Sequence, residues 1–224
     1  MQLLLKKNIF NVFWVTVLIG ILSLIFNFSL LDIIFKALLM PLLMLALYLK
    51  TSDNRGRKKI MIALLFSFFG DVLLSFENKG PLFFITGLVC FLVTHIFYIS
   101  YFSQIKQSGE CPAKKYPYVL VLIGLYTAGL LYLLWPKLGE LKLPVIIYAC
   151  VISIMLYMSL RIPYKIGRIA GKLFIMGALF FVISDTLLAI NKFYAHFTGA
   201  SLLIRLTYCL AQFFIVKGFI KKRY

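Results

Sequence analysis

Apolar residues follow one another in long runs along this chain instead of alternating with polar ones. Eight runs approach the roughly 20 residues that a helix needs to cross the hydrocarbon core of a bilayer, and short polar connections separate them. The predicted spans are Ile9–Phe28, Leu30–Leu49, Ile60–Phe76, Pro81–Phe102, Tyr116–Trp135, Leu143–Leu160, Leu173–Ile190 and Gly199–Ile220. The pattern predicts an all-α polytopic membrane bundle of eight transmembrane helices, a single integral-membrane domain over residues 1–224.

The composition excludes several other classes of protein. Of the 224 residues, 62% are hydrophobic and 14% are charged, whereas soluble domains are about 45–50% apolar and about 25% charged. This balance excludes a soluble enzyme, a disordered chain and a small disulfide-stapled secreted domain. The four cysteines are scattered without Cys-x-x-Cys spacing, so we expect neither a structural zinc site nor a disulfide framework.

Basic residues are distributed unevenly between the two sets of connections. Eighteen of the 24 lie at the termini and in alternate connections. They are Lys6, Lys7, Lys50, Arg55, Arg57, Lys58, Lys59, Lys106, Lys114, Lys115, Arg161, Lys165, Arg168, Lys172, Lys217, Lys221, Lys222 and Arg223. Because cytoplasmic connections carry the excess of Lys and Arg, both termini are predicted to be cytoplasmic. The net charge of +17 then reflects orientation and attraction to the headgroups of membrane lipids, and we expect no nucleic-acid partner.

Four charged side chains lie well inside the predicted spans, namely Lys36, Asp71, Asp185 and Arg205, whereas Asp32 and Lys217 lie near span ends. A charge at such depth costs about 2.5–3.5 kcal/mol even on a lenient scale, so it normally faces the bundle interior and marks function. The two aspartates occupy one shared pattern, small–Asp–x–Leu–Leu–small–apolar, at residues 70–76 and 184–190. Because the two motifs lie four spans apart, in helices of the same direction, they predict a four-plus-four internal repeat.

Counted from the preceding cytoplasmic lysine, both aspartates lie roughly 18–20 Å into the membrane at about 1.5 Å per residue. Lys36 and Arg205 fall near the same level, so we expect one polar pocket. The uncharged side chains expected to line it are His95, Tyr148, Tyr208 and Gln212. A structural alternative stays open, in which the two cations only neutralise the two aspartates.

These motifs resemble the signatures of the YhhN-like family over nearly the whole chain. The matching segments are Gly70-Asp71-x-x-Leu74, Gly87-Leu88-x-x-Phe91-x-x-Thr94-His95-x-x-Tyr98, Gly177-Ala178-x-Phe180-Phe181-x-x-Ser184-Asp185-x-x-Leu188-Ala189 and Tyr208-x-x-Ala211-Gln212. The chain departs from that pattern at Ala37, where the family often has proline, and at Thr94, where it often has alanine. The family includes the lysoplasmalogenases, eight-span hydrolases of the lysoplasmalogen vinyl ether bond. The resemblance therefore implies a membrane hydrolase that acts on a lysophospholipid.

Vinyl ether hydrolysis needs one acid, which protonates the β-carbon, and one base, which activates water beside the resulting oxocarbenium ion. Two carboxyl groups with different pKa values supply both functions. We therefore expect Asp71 and Asp185 to be the catalytic pair, with their two roles left open and no metal or organic cofactor required. Lys36 or Arg205 is expected to bind the substrate phosphate, and the four uncharged pocket residues to position water and glycerol hydroxyls.

Three other interpretations use the same two aspartates. An intramembrane aspartyl protease is disfavoured because Phe69-Gly70, not Gly-x-Gly, precedes Asp71. A proton-coupled transporter would suit charged residues at this depth, and a catalytically silent scaffold would tolerate asparagine at both positions. The short connections suit a bacterial plasma membrane, with an endoplasmic reticulum location also open. The preferred headgroup, choline or ethanolamine, and the oligomeric state stay open as well.

Overall fold

The computed structural model describes residues 2–105, 110–162 and 166–222, with side chains from Lys6 onward. The helices are α1 (Gln2–Ile25), α2 (Ser29–Lys50), α3 (Arg55–Leu74), α4 (Pro81–Gln104), α5 (Pro112–Lys115), α6 (Tyr118–Leu134), α7 (Lys142–Leu160), α8 (Arg168–Ala189) and α9 (Ala200–Lys221). No strand occurs within these residues, and the all-α prediction is confirmed. Lys106, Lys165 and Arg223, which contribute to the predicted orientation, lie outside the described residues.

Seven helices of the described chain are long and apolar enough to cross a membrane, namely α1, α2, α4, α6, α7, α8 and α9. The third predicted span, Ile60–Phe76, falls in α3, which is not among them. The first two turns of α3 carry four basic residues, and Asp71 lies near its end, so its uncharged part covers only residues 60–70. The chain is an integral membrane protein, and a crossing by α3 stays a prediction.

Local hydrogen bonds explain why the helices do not begin and end with the apolar runs. The first helix ends before the predicted Phe28 because Asn27 has a left-handed backbone, with φ of 57°. The N–H of Phe28 then donates to the carbonyl of Ser23 at 2.8 Å, which closes the helix end. The third helix begins five residues before the apolar run because Asn54 Oδ1 accepts a hydrogen bond from the N–H of Arg57 at 2.8 Å.

The chain divides into two compact units, Met1–Tyr101 and Phe102–Tyr224. In the first unit α1, α2 and α3 pack in chain order, and α3 also packs closely on α4. A Cβ added to Gly70 on α3 would lie 2.8 Å from the ring of Phe91 on α4, so glycine permits this approach. The single domain over residues 1–224 and the internal repeat stay predictions.

In the second unit α6, α7 and α8 pack in chain order, and the antiparallel pair of α8 and α9 makes the most extensive contact. A Cβ added to Gly177 on α8 would lie 2.6 Å from the side chain of Ile215 and 3.0 Å from the carbonyl oxygen of Ala211 on α9. Nearer the other end, the ring of Phe174 packs against Gly218. Small residues thus bring the two backbones close together, as is usual between membrane helices.

Candidate functional site

A direct hydrogen bond joins two of the predicted site residues, Tyr148 on α7 and Asp185 on α8. The hydroxyl of Tyr148 donates to Oδ2 of Asp185 at 2.6 Å. Both side chains are half-buried. A short bond from a nearly rigid ring fixes the orientation of the carboxyl group, because tyrosine has few rotatable bonds and its ring is held between helices.

Asp185 lies in the wall of a cleft formed by α6, α7 and α8, with a volume of about 50 Å³. The polar lining residues are Tyr126, Thr127, Tyr148, Ser153, Asp185 and Thr186. On α8 the lining positions include Val182, Asp185 and Ala189, which recur at helical spacing and therefore form one face. The cleft thus presents one carboxyl group and five hydroxyl groups in an otherwise apolar lining.

The hydroxyl groups in the cleft are connected in pairs across the helices. Tyr126 on α6 is hydrogen-bonded to Thr186 on α8. Thr127 on α6 and Ser153 on α7 have hydroxyl oxygens 2.7 Å apart. None of these four residues was predicted from the sequence, although Tyr126 and Thr127 are adjacent polar residues in the middle of an apolar span. That signal, applied to the fifth span, would have found Tyr126 and Thr127, but not Ser153 or Thr186.

Arg205 lies on α9 at nearly the same level as Asp185 on α8. The hydroxyl of Ser184 donates to the carbonyl oxygen of Ile204 at 3.1 Å. Asp185 and Arg205 are the next residues on the two antiparallel helices, so each lies about 1.5 Å from the level of that bond. Arg205 is half-buried, which allows its guanidinium group to combine contact with protein and access to a polar ligand.

Tyr208 and Gln212 continue the same face of α9 towards its C-terminal end. Gln212 is fully buried and Tyr208 is 7% exposed. The rings of Tyr208 and Phe181 meet edge to face with centroids 5.7 Å apart. This contact makes Tyr208 part of the α8–α9 packing, whatever further contact it makes with a ligand.

The first unit contains Asp71, His95 and Lys36. Asp71 is 2% exposed on α3, and His95 on α4 is fully buried. One turn before the aspartate, the hydroxyl of Ser67 is 3.0 Å from that of Thr94, the neighbour of His95. Asp71 and His95 therefore lie in the polar, buried part of the α3–α4 packing. Lys36 is half-buried on α2.

In the structure, two predicted site residues, Tyr148 and Asp185, are in direct contact. Arg205 lies near the level of Asp185 in the same unit. Asp71 belongs to the first unit and Asp185 to the second, so their catalytic pairing stays a prediction. A carboxyl group held by a tyrosine in a hydroxyl-lined cleft is suited to accept a proton from water. The arrangement in the second unit is thus compatible with general base catalysis.

Known proteins resemble this chain along most of its length. The sequence model of the YhhN family matches residues 31–219. The lysoplasmalogenase TMEM86A of Homo sapiens is 29% identical over 180 residues, which cover 74% of this chain. The lysoplasmalogenase of Mycobacterium tuberculosis (strain CDC 1551 / Oshkosh) is 29% identical over 168 residues, also 74% of this chain. The lysoplasmalogenase TMEM86B of Sus scrofa is 32% identical over 181 residues, or 79% of this chain.

The similarity covers different shares of these relatives. It covers 66% of the human protein, 62% of the mycobacterial protein and 70% of the porcine protein. The chain therefore spans just under two thirds of the length of the first two relatives. No solved structure matches the chain significantly. Because the family match covers residues 31–219 and includes every candidate site residue, this chain belongs to the YhhN family.

Proposed function

We propose that this protein is an integral-membrane hydrolase that cleaves the vinyl ether bond of a lysoplasmalogen. The products are a fatty aldehyde and a glycerophospho-alcohol. The observation that carries the proposal is membership of the YhhN family together with similarity to relatives named lysoplasmalogenases. The cleft at Asp185 supports it because hydrolysis needs a carboxyl group beside water.

In this proposal Asp71 is the acid and Asp185 is the base. The hydroxyl of Tyr148 donates to Asp185, and a donated hydrogen bond complements a carboxylate. Asp71, buried in its unit, delivers a proton to the β-carbon of the vinyl ether. The resulting oxocarbenium ion is steadied by the Asp185 carboxylate, which also receives a proton from the attacking water.

Cations and uncharged polar groups would bind the rest of the substrate. Arg205 is assigned to the phosphate because it is half-buried near the level of Asp185 and its fork of donors matches phosphate oxygens. Lys36 is assigned a supporting role at the same group. We assign the positioning of glycerol hydroxyls to His95, Tyr208 and Gln212.

The proposal includes an eight-span topology with both termini in the cytoplasm, built as a four-plus-four repeat. The basic residues of α3 lie in its first two turns, where long side chains reach the headgroup region while the remainder of the helix crosses. Asp71 then lies inside the membrane. The proposed location is a bacterial plasma membrane.

Aldehyde release from a lysoplasmalogen by the purified protein in detergent tests the proposal. Wild-type protein should release aldehyde from the choline or the ethanolamine form of the substrate, both of which are tested, and it should do so in the presence of EDTA. Asp71→Asn and Asp185→Asn should each lose activity by about 10²–10⁴-fold, the usual share of acid or base catalysis. The control is Asp53→Asn, whose carboxylate lies in a connection and pairs with Arg57.

Folded wild-type protein that releases no aldehyde would overturn the proposed function. Cleavage of a transmembrane peptide reporter, lost in Asp71→Asn, would assign the aspartates to a protease instead. Substrate counterflow in proteoliposomes would assign them to a proton-coupled transporter. Full aldehyde release by both aspartate variants would remove the acid and base roles.

A further inference from the structure

We propose that the cleft between α6, α7 and α8 is the site of the hydrolytic water. The inference rests on the proposed function and assigns a new role to Tyr126, Thr127, Ser153 and Thr186. These residues line the cleft together with Asp185. They hold and orient the water molecule that Asp185 activates.

The volume of the cleft limits the size of what can occupy it. One water molecule needs about 10–15 Å³ measured in this way, so the cleft volume of about 50 Å³ accommodates a few waters. Sites for drug-sized molecules are about 300 Å³ or larger. A whole phospholipid headgroup or alkenyl chain therefore does not fit inside the cleft, and we assign water to it.

The chemistry of the lining supports the same occupant. A buried water is typically held by two to four polar partners. Thr127 and Ser153 supply a hydroxyl pair at 2.7 Å, Thr186 and Tyr126 supply a second pair, and Asp185 supplies a carboxyl group. The hydroxyls come from three helices and face one space, so a water there has partners on several sides.

The cleft also extends to the ends of its helices. It is lined by Leu134 and Ala189, the last residues of α6 and α8, and by Thr127 and Val182. Thr127 and Val182 lie seven residues before those helix ends, which is roughly 10 Å deeper in the membrane at 1.5 Å per residue. Water would enter at the membrane surface that carries the connection between α6 and α7, which is the outer surface in the proposed topology.

The reaction balances with this single water. Asp71 transfers its proton to the β-carbon, and the water oxygen then forms a bond to the α-carbon while one water proton passes to Asp185. The hemiacetal collapses when its hydroxyl proton, the second proton of the water, passes to Asp71 and its bond to the glycerol oxygen breaks. That oxygen takes the proton from Asp185, so both carboxyl groups return to their starting states.

A thiol-labelling experiment tests whether the cleft contains water. Methyl methanethiosulfonate is small and uncharged, enters lipid and water alike, and reacts only with a thiolate, which forms in water. The test variant is Ser153→Cys, and labelling is measured site by site. Cys150 is the internal control because it is exposed in the middle of the same helix, α7. In the full-length protein in lipid bilayers, the thiol introduced at position 153 should react at least about ten times faster than Cys150.

A reaction at position 153 no faster than at Cys150, repeated with Thr127→Cys, would overturn the water site. A second arm measures turnover. Thr127→Val should lower kcat several-fold with little change in KM, because the lost hydroxyl contacts water and not lipid. The control is Thr207→Val, which removes a threonine hydroxyl bonded to backbone carbonyls of its own helix, α9.

The two arms separate this inference from the proposed function. Fast labelling at position 153, with no aldehyde released by the wild type, would overturn the proposed function and leave the water-filled cleft standing. An active wild type with unchanged kcat in Thr127→Val and equal labelling at positions 150 and 153 would overturn the water site and leave the hydrolase standing.

Discussion

Replacing Tyr148 by phenylalanine isolates the contribution of one hydrogen bond to catalysis. The change keeps the ring that packs between α7 and α8 and removes only the hydroxyl that donates to Asp185 at 2.6 Å. The Asp185 carboxyl group then loses the contact that fixes its orientation towards the cleft. Because Tyr148 acts through Asp185, it is a positioning residue.

The expected loss in kcat follows from the energy of one hydrogen bond to a charged group. A hydrogen bond to a charged group contributes about 1.5–3 kcal/mol, and every 1.4 kcal/mol is a factor of about ten in rate. We therefore expect kcat to fall by about 10–100-fold. KM should change little, because the lost bond is made to the base and not to the substrate.

The assay is steady-state release of aldehyde from a lysoplasmalogen, coupled to an aldehyde reductase. The matched control is Tyr157→Phe on the same helix. The Tyr157 ring lies against the guanidinium group of Arg161, with 5.9 Å between the ring centroid and Cζ, and it does not line the cleft. Wild-type kcat in Tyr148→Phe would refute the positioning role. The positioning role would also be refuted if a rise in KM accounted for the whole loss in kcat/KM.

Two further predictions concern the α8–α9 pair. Arg205→Ala should raise KM for the lipid more than it lowers kcat, measured in the same assay, because the guanidinium group is assigned to the phosphate; an unchanged KM would remove that assignment. Gly177→Ala should destabilise the protein by about 1–3 kcal/mol through overpacking, seen as a lower midpoint of thermal unfolding in detergent. Gly171→Ala on the same helix, where an added Cβ meets nothing within 4 Å, should leave that midpoint almost unchanged, and equal midpoints for both variants would contradict the packing argument.

The sequence predicted most of the helical spans well because hydropathy depends on composition and not on the fold. The third predicted span is the case in which composition is ambiguous: α3 begins at Arg55, and its basic first turns suit either a helix at the surface or one that starts there and crosses. The predicted helix ends differ from the observed ones by a few residues, because individual local hydrogen bonds, such as the one that caps α3 at Asn54, determine where a helix begins or ends.

The candidate site was predicted only in part. Tyr148 and Asp185 were both expected from polar residues in apolar spans, but their direct bond depends on the rotation of α7 against α8, which side-chain packing sets. Tyr126 and Thr127 stand out in the sequence as adjacent polar residues in an apolar span, but only the structure shows which faces of α6, α7 and α8 enclose a common space. A list of residues in one chain does not contain that information.

The packing of α8 on α9 limits how the sequence of this protein can drift. At Gly177 the nearest atoms to an added Cβ include a carbonyl oxygen and a backbone nitrogen of α9, so shrinking a neighbouring side chain does not make room. At Gly218 the two nearest atoms belong to the ring of Phe174, at 3.0 Å, and the third is the carbonyl oxygen of Ala170, at 3.3 Å, so a smaller residue at 174 would remove the two closest contacts. Position 177 is therefore the more tightly restricted of the two glycines. We expect paired substitutions at positions 174 and 218, limited to small residues at 218, and none that accommodate a larger residue at 177.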